Sequence, residues 1–154
     1  MVNLDVEKQN AAKTSLEFIK EGMVVGLGSG STSEHMVTLL AEKVEQGLKI
    51  IGVSSSEKIR SLAQSLNIPL TTLVEAKTLD VYIDGADEID PHFTMIKGGG
   101  GALLREKILA HNSKKRVIIV DSTKQVERLG KFKLPIEVIP FAENSVLTQL
   151  DAMD

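Results

Sequence analysis

Four short apolar runs, each breaking into small or acidic residues and then into a helical pattern, constrain this chain more than any other feature. Met23–Leu27 leads into Gly28-Ser29-Gly30-Ser31, and Lys49–Val53 into Ser54-Ser55-Ser56. Leu79–Ile83 leads into Asp84-Gly85-Ala86-Asp87, and Arg116–Val120 into Asp121-Ser122-Thr123-Lys124. Helical stretches fall between them: about 32–46, stopped by Gly47; 54–66, where Ser54 and Glu57 have capping-box spacing; and 102–111. An earlier helix over 3–20 offers Val6, Leu16 and Ile19 as core contacts, and a terminal helix is expected over 143–153. Further short strands are expected near 70–73 and 135–139, and Ser122 with Gln125 repeats the capping-box spacing. Strands alternating with helices give parallel strands joined by crossovers, so the expected fold is α/β, an open, mostly parallel three-layer sheet of Rossmann-like form. Ligands of such sheets bind beyond the carboxyl ends of the strands, so the four turns are expected to gather on one edge.

Bulk properties exclude several classes. A chain of 154 residues suffices for one compact domain burying roughly 70% of its unfolded surface. Its net charge of −3 gives no electrostatic case for nucleic acid or an anionic membrane. No apolar run approaches the ~20 residues of a membrane span, and the N-terminus lacks a signal-peptide core. With no cysteine there is no thiol nucleophile, thiolate metal site or disulfide, and a cytoplasmic location fits best.

Chemistry-bearing residues concentrate in two places. Gly26–Thr32 fails the third glycine of a dinucleotide fingerprint, where Ser31 stands. A strand-to-helix turn of this kind still suits a phosphate, while Ser31 with Glu34 also has the spacing of a helix cap. Asp84 and Asp87, spaced by Gly85 and Ala86, allow three readings: an acid/base or hydroxyl-binding pair, a solvated acidic turn with Glu88 and Asp90, or a magnesium site. Lys97 beside Gly98-Gly99-Gly100-Gly101 and a following helix reads as an oxyanion cradle or as a flexible loop. Glu106 has Ala102 and Ala110 as its i−4 and i+4 neighbours, which leaves room for a ligand; partial burial would raise its pKa toward a useful base. The alternative is a surface glutamate paired with a cation. Lys124 can reach a phosphate at the same edge or stand solvated. His35, His92 and His111 show no metal spacing.

Taken together, the stretches 25–32, 83–88, 95–107, 120–124 and 134–140 closely resemble ribose-5-phosphate isomerase of the A type, in the family's order and across nearly the whole chain. The resemblance implies interconversion of ribose 5-phosphate and ribulose 5-phosphate through an enediolate, with no cofactor and no metal. It makes Glu106 the base between C2 and C1, links Asp84 to ring opening, gives Asp87 the substrate hydroxyls, and gives Lys97 the developing negative charge. It assigns Ser29, Gly30, Ser31, Thr32, Gly85, Ala86, Gly98, Gly99, Gly100 and Lys124 to substrate binding. By the same analogy the protein is a homodimer or homotetramer whose partner is a small pentose phosphate. Residues 1–140 are then the Rossmann-like catalytic domain, and 141–154 a helix leading into a small α+β domain absent here. The chain is accordingly expected to be less stable and less active than a longer form. A sugar-phosphate-sensing repressor is the alternative class. It would need neither Glu106 nor the two aspartates as proton carriers, and no helix-turn-helix precedes the first strand.

Overall fold

The computed structural model describes residues 3–153. Asn3 caps the first helix, its side chain accepting from the amides of Asp5 and Val6, and α1 runs Leu4–Ser15 before a 3-10 turn at Leu16–Phe18. There follow β1 (Val24–Leu27), α2 (Ser31–Glu45), β2 (Ile51–Ser54), α3 (Glu57–Ser65), α4 (Leu73–Ala76) and β3 (Leu79–Asp84). A small hairpin of β4 (Glu88–Ile89) and β5 (Met95–Ile96) then leads to α5 (Leu103–His111), β6 (Ser113–Ile118) and α6 (Glu143–Asp151). The main sheet has the order β2-β1-β3-β6, parallel throughout. Connections leave β1 and β3 in opposite directions, so the topological switch lies between those two strands, where a ligand crevice is expected.

Strand alternation sorts the side chains into two cores. Val25 and Leu27 of β1, with Val81 and Ile83 of β3, pack under α1, α2 and α3 through Ala12, Met36, Val37, Leu40 and Ile59. Val24, Val53 and Tyr82 pack on the opposite face against Leu109 and Ala110 of α5 and the short α4. The three layers follow from these two buried faces, in agreement with the α/β expectation.

Several local expectations are corrected. Residues 70–73 form no strand beyond one bridge from Leu70 to Gly52, because Thr72 and Glu75 make a reciprocal capping box and turn the chain into α4. Ser54 remains in the β2 ladder, and Ser56 caps α3 by accepting from the Ile59 amide. Ser31 is the first residue of α2 rather than its cap; Gly30 takes that place at φ +103°, and Glu34 pairs with Lys58 at 2.6 Å instead. Asp121 caps only a 3-10 turn at Ser122–Lys124, so Lys124 ends a turn and not a helix. Residues 135–139 also form no strand: Pro135 has no amide to donate, and it packs over the glycine loop, within 3.3 Å of where a side chain on Gly98 would start. Val6 is 47% exposed and outside the core.

Candidate active site

The four strand-end turns do gather. Ser29–Thr32, Ser56, Gly85–Asp87, Ile119–Asp121 and Lys124 line one cavity of about 390 Å³, together with Lys97, Gly98, Gly100, Ala102 and Glu106.

Two glycines, Gly26 in β1 and Gly28 just after it, make room behind this cavity. Gly26 and Gly28 alternate toward the α5 face, where β3 presents Tyr82 and Asp84. A Cβ on Gly26 would lie 2.6 Å from Tyr82 Cδ2, and one on Gly28 only 2.3 Å from Asp84 Oδ1. The ring and the carboxylate therefore occupy a trough that any side chain on β1 would fill. Gly28→Ala is expected to lower stability by roughly 1–3 kcal/mol, as overpacked cores do, with the urea midpoint as the readout. An unchanged midpoint would mean that Asp84 can move aside.

Asp84 is fully buried, and four donors meet it. Its Oδ1 accepts from the amides of Ser29 at 3.0 Å and Gly85 at 2.8 Å; its Oδ2 accepts from the Tyr82 hydroxyl at 2.5 Å and Lys97 Nζ at 2.8 Å. Burial, then the Asp84 charge, raise the phenol's pKa far above its usual value, so Tyr82 keeps its proton and donates it.

Lys97 is the hub. Its ammonium also donates to the Gly85 carbonyl at 2.5 Å and stands 3.1 Å from Glu106 Oε2. Burial alone would lower its pKa, but Asp84 and Glu106 outweigh that and hold the lysine above its ordinary value. Glu106, 6% exposed on the first turn of α5, shows the opposite balance. Burial, then the Asp84 charge, push its carboxyl above the ordinary range, and Lys97 offsets this only in part. The two carboxylates coupled through one cation are thus Asp84 and Glu106.

Asp87 lies half-buried on the cavity wall, where it accepts from the Gly99 amide at 2.8 Å. That bond fixes the glycine loop, so Gly99 spends its amide inside the protein, while Gly98 and Gly100 line the cavity. The loop is also covered from outside: a Cβ on Gly99 would meet Phe132 at 2.7 Å. Phe132 is itself held by Glu88, which is 3% exposed and accepts from the amides of Gly130 at 2.8 Å and Phe132 at 2.5 Å. The solvated acidic turn is therefore not what forms.

The other end of the cavity suits an anion. Among the described residues no side chain caps α2, and Gly30, Ser31 and Thr32 at its start line the cavity, so first-turn amides and the helix dipole meet the space. Lys124 and, from α1, Lys8 also line it. The Ser29 hydroxyl is occupied by Ser55 and Ser56, each at 2.8 Å. Among the described residues, no group of three or more His, Asp or Glu is placed to hold a metal ion.

Sequence reasoning missed Tyr82, Lys8 and the anchoring role of Glu88. Tyr82 carried a readable signal, because it stands two residues before Asp84 in a strand and so shares its face. Lys8 carried none, since the packing of α1 alone brings it to the cavity.

This arrangement has relatives. A sequence model of the family described as ribose 5-phosphate isomerase A (phosphoriboisomerase A) matches residues 51–154. The ribose-5-phosphate isomerase A of Nitrobacter hamburgensis is 55% identical over 140 residues, covering 91% of this chain and 60% of the relative. The crystal structure of ribose 5 phosphate isomerase A from Neisseria gonorrhoeae superposes with a TM-score of 0.93 at 44% identity, over 99% of this chain and 68% of the other. A D-ribose-5-phosphate isomerase structure in complex with phospho-erythronic acid also gives 0.93, at 40% identity, over 98% of this chain and 67% of the other. The chain spans about three fifths of the length of such curated relatives. On the family match over residues 51–154 and the shared fold, it belongs to the ribose 5-phosphate isomerase A family.

Proposed function

We propose that this chain carries the catalytic site of an aldose–ketose isomerase that interconverts ribose 5-phosphate and ribulose 5-phosphate. The observation that carries the reading is Glu106: a buried carboxylate of raised pKa, on the cavity wall, 3.1 Å from a lysine anchored by a second buried carboxylate. In the open-chain sugar, Glu106 takes the proton from C2, and the C2–H electrons form the C1=C2 bond of an enediolate. Returning the proton to C1, with the hydroxyl proton passing from O2 to O1, completes the ketose. Only protons move, so the balance needs no cofactor.

Lys97, with the amides of Gly98 and Gly100, meets the negative charge on the enediolate oxygen, a type of contact whose loss costs about 10²–10³ in rate. Asp87, on the wall, takes substrate hydroxyls with the oxygen that does not hold Gly99. Asp84, buried behind Lys97, acts on the sugar through that lysine. The phosphate lies at the open start of α2 among Gly30, Ser31, Thr32, Lys124 and Lys8. The phospho-erythronic acid bound to the structural relative, a phosphorylated sugar acid, matches a cavity with a cationic hub at one end and an anion site at the other.

The reading is tested by conversion of ribose 5-phosphate by the 154-residue chain. Turnover supports it; binding of the sugar phosphate without turnover would favour a sensor. The acidic limb of kcat/KM is expected above the ordinary glutamate pKa of about 4.3, because the base must be ionised and burial opposes that. A limb at or below that value would remove Glu106 as the base.

Residues 1–140 serve here as the catalytic unit, with 141–154 leading onward. The molecule works as a homodimer or homotetramer in the cytoplasm, in the pentose phosphate pathway. Among the described residues no helix is long and apolar enough to cross a membrane. A monomer in sedimentation at micromolar concentration would count against the oligomer.

A further inference from the structure

Behind the residues that face the cavity lies a group for which the isomerisation chemistry has no direct use. Tyr82 is 1% exposed and its hydroxyl reaches Asp84 Oδ2 at 2.5 Å. It is the chain's only tyrosine. The fold keeps the space for it: β1 carries glycine at position 26, where a single Cβ would strike the ring at 2.6 Å, although glycine in a strand interior weakens the strand. A buried tyrosine that merely needed a partner for its hydroxyl could have used a carbonyl. This one shares an oxygen with Lys97 Nζ, which lies 2.8 Å from the same Oδ2.

We propose that Tyr82 is a positioning residue of the isomerisation, acting through Asp84 to set how the Lys97 ammonium is divided between Asp84 and Glu106. The inference rests on the isomerase reading for its catalytic consequence, but its electrostatic core does not. Lys97 has three acceptors: the Gly85 carbonyl at 2.5 Å, Asp84 at 2.8 Å and Glu106 at 3.1 Å. The contact to Glu106 is the longest and so the first to yield. With the phenol donating to Oδ2, part of the Asp84 charge is met and the ammonium stays shared. Without it, Lys97 is the sole side-chain donor to that oxygen and is drawn toward Asp84. Glu106 then loses part of the one cation that opposes its burial.

The charged groups acting on Glu106 are Asp84 from β3, Asp87 from the turn after it, and Lys97 from the segment after β5. Of these, Asp84 and Lys97 are also directly bonded to one another, and Tyr82 bonds to Asp84. Ser55 sits beside the phenol and Ser29 beyond it, at 2.8 Å from Ser55, so the second β-strand turn supports the ring oxygen without adding charge.

The test follows the titration of Glu106 by its carboxyl ¹³C resonance, assigned by its absence in Glu106→Gln. Tyr82→Phe, which removes one oxygen and keeps the ring, is expected to move the Glu106 midpoint up by about half a unit. Because there is one tyrosine, biosynthetic replacement by 3-fluorotyrosine alters this site alone. Its more acidic hydroxyl is a stronger donor to Asp84 and is expected to move the midpoint the other way. In turnover, Tyr82→Phe is expected to lower kcat about tenfold with KM changed less than about twofold, the loss of one hydrogen bond to a charged group. Opposite shifts from the two replacements establish the positioning role. A lower melting temperature with the Glu106 midpoint unmoved in both proteins would reduce Tyr82 to packing and overturn it. The fluorotyrosine protein keeps the hydroxyl and reads the same midpoint should the phenylalanine variant fail to fold. Loss of turnover in the unaltered chain would strike the isomerase reading alone, since the titration is read without substrate.

Discussion

Glu106→Gln is expected to lower turnover of ribose 5-phosphate roughly 10²- to 10⁴-fold, the range that a positioned general base supplies, while leaving the folded chain at least as stable at pH 7. The second half separates a base from an ordinary ion pair. Glu106 is buried beside Asp84, and its folded pKa lies above its value in the unfolded chain. A carboxyl raised in this way contributes stability below its unfolded pKa and loses it as pH rises through the folded value. At pH 7 the ionised carboxylate is therefore held at a cost that glutamine, similar in shape and uncharged, does not bear. Asp84 and the Gly85 carbonyl remain to hold Lys97. Urea midpoints at pH 4 and pH 7 check this: the advantage of the variant should grow with pH. Loss of activity together with loss of stability at pH 7 would instead make Glu106 a structural partner of Lys97.

Lys97→Met is expected to fail on both counts. Among the described residues its ammonium is the only cation bonded to Asp84, which has no exposure at all. Removing one member of a buried pair leaves a charge in low dielectric, which destabilises by about 3–5 kcal/mol where measured. Tyr82 and the amides of Ser29 and Gly85 would still meet Asp84, which favours the lower end of that range. Without Lys97, Glu106 also loses the influence that lowers its pKa, so its folded value climbs further. The deficit should accordingly be largest at neutral pH and shrink toward pH 4, as Glu106 protonates. The lysine contributes stability below its unfolded pKa and loses it only as pH rises through its own raised value, so it is fully present across this window. Turnover should drop by about 10²–10³ from loss of the oxyanion contact alone. A variant as stable as the parent at pH 7 would mean that Lys97 does not offset the buried carboxylates it touches, and the hub would have to be redrawn.

The site divides accordingly into two shells with different physics. Glu106, Lys97 and Asp87 stand at the cavity wall. Behind them, Tyr82 and Asp84 lie in a trough cut by Gly26 and Gly28, and Glu88 pins the segment that covers the glycine loop. Polar groups in that inner shell are nearly all satisfied, as a network in low dielectric must be to contribute order. Among the described residues the one buried side-chain polar atom without a partner is the Ser33 hydroxyl, on α2.

Much of this was legible in the chain itself. Alternation of apolar runs with helical patterns determined a parallel α/β sheet, because only crossover helices return parallel strands to one sheet. Turns directly after those runs determined that Ser29–Thr32, Asp84–Asp87 and Lys124 would share an edge, since every strand points the same way. Glu106 was marked by a charged residue set among small neighbours in an apolar helix. What the sequence could not give is pairing across long separations. That Lys97 would bond Asp84 rather than solvent, or that Asp87 would hold Gly99, depends on how a two-strand hairpin folds back over the sheet edge. Glu88 read as solvated because its partners lie more than 40 residues away at Gly130 and Phe132. Local pattern reports only the face a residue shares with its near neighbours. Which buried charge meets which, and therefore which pKa values move, was decided by tertiary packing.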